Sequence, residues 1–149
     1  EGKDITILTI GATLYRALEA AKVLEEKYGM SAEVIDARSL VPFNYEKVLA
    51  SVKKTGRIVI AGDATARGSF LNDLARNITE LAFDYLDAPA VVLGSRDWIT
   101  PAYELEYAFF PQPDSFLDII HEKIVPLQGY VPTRNYTDAE QIRRAKEGI

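Results

Sequence analysis

Apolar residues along this chain alternate between two periods. Residues 5–10, Ile-Thr-Ile-Leu-Thr-Ile, form a largely β-branched run without a charge, as expected of a strand covered on both faces. Gly11 breaks the run. From Thr13, placed to cap a helix, Leu14, Ala17, Leu18, Ala21, Leu24 and Tyr28 recur at helical spacing until Gly29. A second strand over 32–36 leads into the stretch Asp36-Ala37-Arg38-Ser39-Leu40-Val41-Pro42-Phe43-Asn44. There Pro42 pushes Val41 toward an extended conformation, and Asn44 is positioned to cap the next helix. That helix turns Val48, Leu49 and Val52 inward and stops near Gly56. A third strand over 57–61 precedes a helix over 70–83 with the stripe Leu71, Leu74, Ala75, Ile78, Leu81 and Ala82, and a fourth strand over 90–93 follows Pro89.

Strands and helices alternating at this spacing predict a mostly parallel sheet with right-handed crossovers, in a three-layer α/β/α sandwich. The first and third strands are the most apolar and belong side by side at the centre, giving the order 2-1-3-4. The topological switch point then lies between the loops 11–13 and 63–69, where a ligand crevice is expected. Beyond the fourth strand the pattern changes. A loop over 94–101 carries the only tryptophan, Trp98, and 103–110 is aromatic-rich. Asp114 or Ser115 is expected to cap a helix with Phe116, Ile119, Ile120 and Ile124 inward, ended by Pro126. Residues 1–126 therefore read as one domain and 127–149 as an extension, with 127–136 running over the surface. In the extension Thr137-Asp138-Ala139-Glu140 forms a capping box. It would start a final helix, with Ile142 and Ala145 as apolar contacts, that lies on a neighbouring domain or subunit, since so short a helix does not stand alone.

Composition sharpens this in a few places. With 149 residues, 48% hydrophobic and 26% charged, the chain is that of one globular domain. A formal charge of -5 without a Lys/Arg-rich run argues against nucleic acid or an anionic membrane surface as partner. No cysteine is present, which removes disulfides, thiolate catalysis and thiolate metal sites. The chain starts at Glu1, just before a strand, and reads as a piece of something longer.

The search for reactive groups returns mostly negatives. The Gly11 turn lacks G-x-G-x-x-G, and the loop Gly62-Asp63-Ala64-Thr65-Ala66-Arg67-Gly68 lacks the lysine and hydroxyl of a P-loop. His121, the only histidine, sits among apolar helix positions and is assigned a structural role; no spacing of acidic residues demands a metal. Asp36 and Arg38 emerge at a strand's carboxyl end, either as a pair pinning that end or as a ligand or partner contact. Asp63 can pair with Arg67 or, across the switch point, with Arg38; alternatively its loop holds an anion or touches another domain. Trp98 divides between core packing and a partner surface.

Taken together, the segments Gly2-Lys3-Asp4-Ile5-Thr6-Ile7, Ala17-Leu18-Glu19-Ala20-Ala21 and the run from Glu33 through Asp36-Ala37-Arg38-Ser39-Leu40-Val41-Pro42 to Phe43 resemble a known family. Ser51-Val52-Lys53-Lys54-Thr55-Gly56-Arg57, Ala82-Phe83-Asp84-Tyr85-Leu86-Asp87-Ala88-Pro89, and Pro101, Leu105, Glu106 and Pro111 continue the match over roughly residues 2–125. The family is the C-terminal domain of transketolase-like thiamine diphosphate enzymes. The nearest resemblance is to the beta chain, or fused alpha/beta chain, of the decarboxylating component of 2-oxo acid dehydrogenase complexes. Two positions depart from it: Gly62-Asp63 stands where the family has His-Glu, and Gly68-Ser69-Phe70 where it has Gly-Gly-Phe. A role borrowed for that histidine does not transfer.

The resemblance implies a parent enzyme that decarboxylates a 2-oxo acid, pyruvate or a branched-chain acid, and passes the acyl group to a lipoyl carrier. Thiamine diphosphate and magnesium are then expected on preceding domains or subunits, with none bound by this piece. The domain itself is implied to organise the assembly: it packs on those domains and on a partner across a two-fold axis, and offers a docking surface to the acyltransferase core. Implied surroundings are the cytoplasm, or the mitochondrial matrix in a eukaryote. Arg38, Asp36, Asp63, Arg67 and Trp98 are the residues expected at an interface or weak anion crevice. Rival readings are an independent small-molecule or anion-binding regulatory module, and the equivalent domain of a transketolase or of a ferredoxin-linked 2-oxo acid oxidoreductase.

Overall fold

A computed structural model describes residues 1–132. The expected final helix from Thr137 lies outside the described residues. Four strands, β1 (Ile5–Ile10), β2 (Ala32–Asp36), β3 (Ile58–Thr65) and β4 (Val91–Ser95), form one parallel sheet in the order β2-β1-β3-β4. The two most apolar strands are central as expected, with Leu8 opposite Ile35 on one side and Ile60 on the other.

Alternation along each strand decides which layer a side chain joins. Ile5, Ile7, Val59, Ala61, Val91 and Leu93 face α1 (Thr13–Tyr28) and α5 (Pro113–Lys123), whereas Leu8, Ile35, Ile58 and Ile60 face α2 (Tyr45–Thr55) and α3 (Phe70–Ala82). Both layers bury their strand positions almost completely. One polar thread crosses the second layer. Thr6, fully buried in β1, meets the hydroxyls of Ser51 and Thr55 on α2 at 2.8 Å each, and Ser51 donates onward to Glu33. Glu33 also pairs with Lys54 at 2.7 Å. The hydroxyls thus satisfy one another in a place where an unpaired one would be costly.

Helix ends follow local chemistry. Asn44 Oδ1 accepts from the Lys47 N–H at 3.2 Å, and Gly29 and Gly56 close α1 and α2 in the left-handed conformation. Three expectations need correction. Thr13 does not cap α1; Ala12 does, and Thr13 is buried in the first turn with its hydroxyl aimed at β3. α5 is capped not by Asp114 or Ser115 but by Gln112, whose box with Ser115 has Pro113 at the first helical position. Leu127, expected on the surface, is only 4% exposed and joins the core cluster of α1 and α5, whereas Gln128, Gly129, Val131 and Pro132 are exposed as expected. β3 also runs four residues past the expected 57–61, through an irregularity between Ala61 and Thr65. The reason is a close backbone approach by β4: a Cβ at Gly94 would stand 2.5 Å from Ala64 O and 2.6 Å from Ala66 N.

Candidate functional site

Parallel strands bring every βα loop to one edge, so the residues singled out above share a single surface. The β2 loop carries Asp36 and Arg38. Arg38 Nε donates to Asp36 Oδ2 at 2.7 Å, and the guanidinium is otherwise in water, 87% exposed. That bond, and then the nearby negative charge, hold Arg38 still more firmly protonated.

Asp63 pairs with neither Arg38 nor Arg67. Its Oδ1 accepts from Arg16 Nη1 at 3.0 Å and from the Thr13 hydroxyl at 3.2 Å, both on the first turn of α1. β1 and β3 are adjacent, Ile10 lying opposite Gly62, so the start of α1 stands beside the end of β3. Arg16 also lies over the ring of Phe110, 5.9 Å from its centroid, tying in the loop before α5. The switch point is therefore bridged by a three-loop cluster. Sequence reasoning missed Arg16, although Thr13 and Arg16 are three apart on a helix and necessarily share a face. Arg67 turns instead to Asp97 across the β3 and β4 loops, 3.8 Å away and largely in solvent.

Trp98 packs in part. It is half-buried, its ring 6.3 Å from that of Phe109 in the short helix α4 (Glu106–Phe109), and Phe109 in turn packs edge-on against Phe110. Its neighbour Ile99 is 93% exposed, and Tyr103, Leu105 and Tyr107 follow it into solvent. On the opposite side of the edge Tyr15 and Val41 do the same, Val41 at 90%. Exposed aromatic and branched side chains thus stand on both sides of the switch point.

Between Tyr15 and the β2 loop lies an open cleft of about 520 Å³ lined by Ile10, Gly11, Tyr15, Asp36, Arg38 and Leu40. A smaller hollow of about 230 Å³ runs under the same loop against Ile35, Phe43, Lys47 and Val48. Neither presents a histidine or a nucleophile activated by a base. Among the described residues no three His, Asp or Glu converge as metal ligands. The carboxylates of this edge, Asp36, Asp63 and Asp97, each face an arginine, Arg38, Arg16 and Arg67, rather than one another. His121 lies far along α5 and accepts the Leu127 N–H at Nδ1, 2.9 Å away, which is a structural role. No helix among the described residues is long and apolar enough to cross a membrane.

Relatives share this chain's sequence over most of its length. It is 38% identical over 124 residues to the pyruvate dehydrogenase E1 component subunit beta, mitochondrial, of Saccharomyces cerevisiae, covering 82% of this chain and 34% of that one. It is 45% identical over 89 residues to the mitochondrial 2-oxoisovalerate dehydrogenase subunit beta of Dictyostelium discoideum, covering 60% and 24%. With the beta subunit of the acetoin:2,6-dichlorophenolindophenol oxidoreductase of Bacillus subtilis it shares 36% over 123 residues, 82% of this chain and 36% of that one. The chain thus spans between 24% and 36% of the length of these relatives. A solved split-gene transketolase, an inactive beta4 tetramer, superposes with a TM-score of 0.59 at 34% identity, over 74% of this chain and 35% of that one. Residues 1–116 match the family described as transketolase, C-terminal domain, and the chain belongs to that family.

Proposed function

We propose that this chain is the organising and subunit-contact domain of a thiamine diphosphate-dependent 2-oxo acid dehydrogenase, and that the chemistry resides on preceding domains or subunits. One observation carries the reading. At the edge where an α/β sheet offers its ligand site, the switch point is bridged by Asp63, Arg16 and Thr13, and the surrounding loops present Tyr15, Val41, Ile99, Tyr103 and Tyr107 to solvent. A surface of that kind gains by covering, whereas a catalytic one needs a group able to react. The relatives that are beta subunits of E1 components support the same assignment.

In this reading the parent enzyme decarboxylates pyruvate or a branched-chain 2-oxo acid and passes the acyl group to a lipoyl carrier. Thiamine diphosphate and magnesium are held outside this chain. Its partners are the preceding cofactor-binding domains, a second copy across a two-fold axis, and the acyltransferase core. The cytoplasm is its location, or the mitochondrial matrix in a eukaryote. The likeness to a split-gene transketolase favours one rival, the equivalent domain of a sugar-transferring enzyme. Calorimetric titration of the chain with thiamine diphosphate, with 2-oxo acids and with phosphate tests the central point. Silence is expected; micromolar binding of any of them by the chain alone overturns the contact-domain reading and favours an anion-binding module. Reading the parent gene upstream of Glu1 separates the dehydrogenase from the transketolase.

A further inference from the structure

The segment after α5 turns back along that helix and is held by two of its side chains. The amides of Ile124 and Val125 both donate to Ile120 O, at 3.0 and 2.8 Å. Leu127 then enters the core, and its own N–H donates to His121 Nδ1 at 2.9 Å. Three residues on, the Tyr130 hydroxyl donates to Asp118 Oδ1 at 2.5 Å, while its ring meets Tyr28 of α1 edge-on at 6.1 Å and lies 5.4 Å from the His121 ring. Asp118 is fully buried and stands three residues before His121, so both anchors lie on one face of α5.

The donor in the first anchor defines the imidazole. A backbone N–H can only donate, so Nδ1 accepts and the ring's proton is on Nε2. An imidazolium carries hydrogen on both nitrogens, and protonation would set two donors against each other at a distance made for a hydrogen bond. We propose that residues 124–130 form an acid-sensitive strap: protonation of His121 expels the Leu127 amide and loosens the strap from the apolar face shared by α1 and α5.

Among the described residues the other titratable and charged groups around this latch include Asp114, whose carbonyl also accepts from the Tyr130 hydroxyl at 3.5 Å, with Asp118, Glu122 and Lys123 on α5, Tyr130 on the strap and Tyr28 on α1. Glu122 acts in the opposite sense. Burial, and then the charge of Asp118, raise its carboxyl above the usual range, and among the described residues its Oε2 has no hydrogen-bond partner. A carboxyl raised in the folded state takes up its proton with a gain in stability as pH falls, so loosening in acid does not come from Glu122.

Hydrogen exchange of the whole chain, read by mass spectrometry and corrected for intrinsic rates, tests this. Between about pH 7.5 and about pH 5, protection over 124–130 is expected to fall about tenfold or more, with α3 unchanged. His121→Asn sets Oδ1 where Nδ1 stood; it accepts the same bond and does not titrate, so the step disappears. Glu122→Gln keeps it. A step that persists in His121→Asn, no step in the native chain, or an equal loss in α3 overturns the proposal. Nuclear magnetic resonance of the native chain gives a second reading without a variant: the Leu127 amide must move with the titration of the His121 ring, and an indifferent amide also overturns it.

Discussion

Two carboxylate–guanidinium pairs stand at the same edge of the same sheet and are built in opposite ways. Asp36 and Arg38 are neighbours on one loop, 2.7 Å apart, with the guanidinium in water. Asp63 and Arg16 come from positions 47 residues apart, meet at 3.0 Å with side chains 34% and 29% exposed, and share the carboxylate with Thr13. The shorter contact is the weaker one. A pair within one loop restrains little that the chain does not already restrain, and water screens it. The pair across the switch point fixes the start of α1 to the end of β3, and losing Asp63 takes the acceptor from the partly buried Arg16 guanidinium and the buried Thr13 hydroxyl.

The largest effect should come from the frame beneath the distant pair. Gly94→Ala puts a methyl group 2.5 Å from Ala64 O and 2.6 Å from Ala66 N, and both are backbone atoms that cannot swing aside. A loss of about 3 kcal/mol in urea unfolding is expected. An unchanged midpoint would mean that the β3 and β4 ends shift easily, and the contrast between the pairs would lose its rigid reference.

Next in size is the distant pair itself. Asp63→Asn keeps the shape and removes the charge, and should lower stability by about 1.5 kcal/mol. A double-mutant cycle with Arg16→Met is expected to show a coupling of about 1 kcal/mol, against none measurable for Asp36 with Arg38. Equal couplings would end the comparison.

What could be read from the sequence divides along the same line. Strand order, the central pairing of β1 with β3, the Asn44 cap and the glycine stops of α1 and α2 all followed from periodicity and from residues adjacent in the chain. So did the Asp36–Arg38 contact, since two residues apart at a strand end is a local relation. Asp63 was placed correctly at the switch point and given the wrong partners, because choosing among cations needs the rotation of α1 about its axis. Leu127 was read as surface because 127–136 holds a glycine, a proline and few core-type residues, and its burial depends on how α5 packs on α1. Of the expected edge residues, Trp98 alone could not be assigned to core or surface, and the structure gives its ring a share of both.

A third pair lies between the two extremes. Glu33 joins β2 to α2 by accepting from Lys54 at 2.7 Å and from Ser51, and these hydrogen bonds, that of Lys54 first, hold its carboxyl below the usual range. A carboxyl lowered in the folded state stabilises fully above its unfolded value and loses that contribution as pH falls through the folded one. The difference in stability between native chain and Glu33→Gln should therefore be about 1 kcal/mol near neutrality and shrink below about pH 4. Chemical unfolding at the two pH values measures it. A difference that stays constant into acid would place the effect in packing rather than charge.

Arg38→Ala should have the smallest effect on the chain by itself. The side chain is 87% exposed, its one partner is two residues away, and Asp36 left alone remains at a strand end open to water. The melting temperature should stay within about 2 °C of the native value. Within the assembly the expectation differs, because Arg38 stands beside Tyr15 and Leu40 in the open cleft, on the edge proposed to meet a partner. Covering that edge would strip water from the Asp36–Arg38 pair and turn a weak contact into one that a partner must match or break. The alanine variant should then fold like the native chain and bind the rest of the parent enzyme more weakly, as sedimentation of the mixed components would report. Native-like assembly would remove Arg38 from the interface, and a large drop in melting temperature would show that the local pair carries more of the fold than its exposure allows.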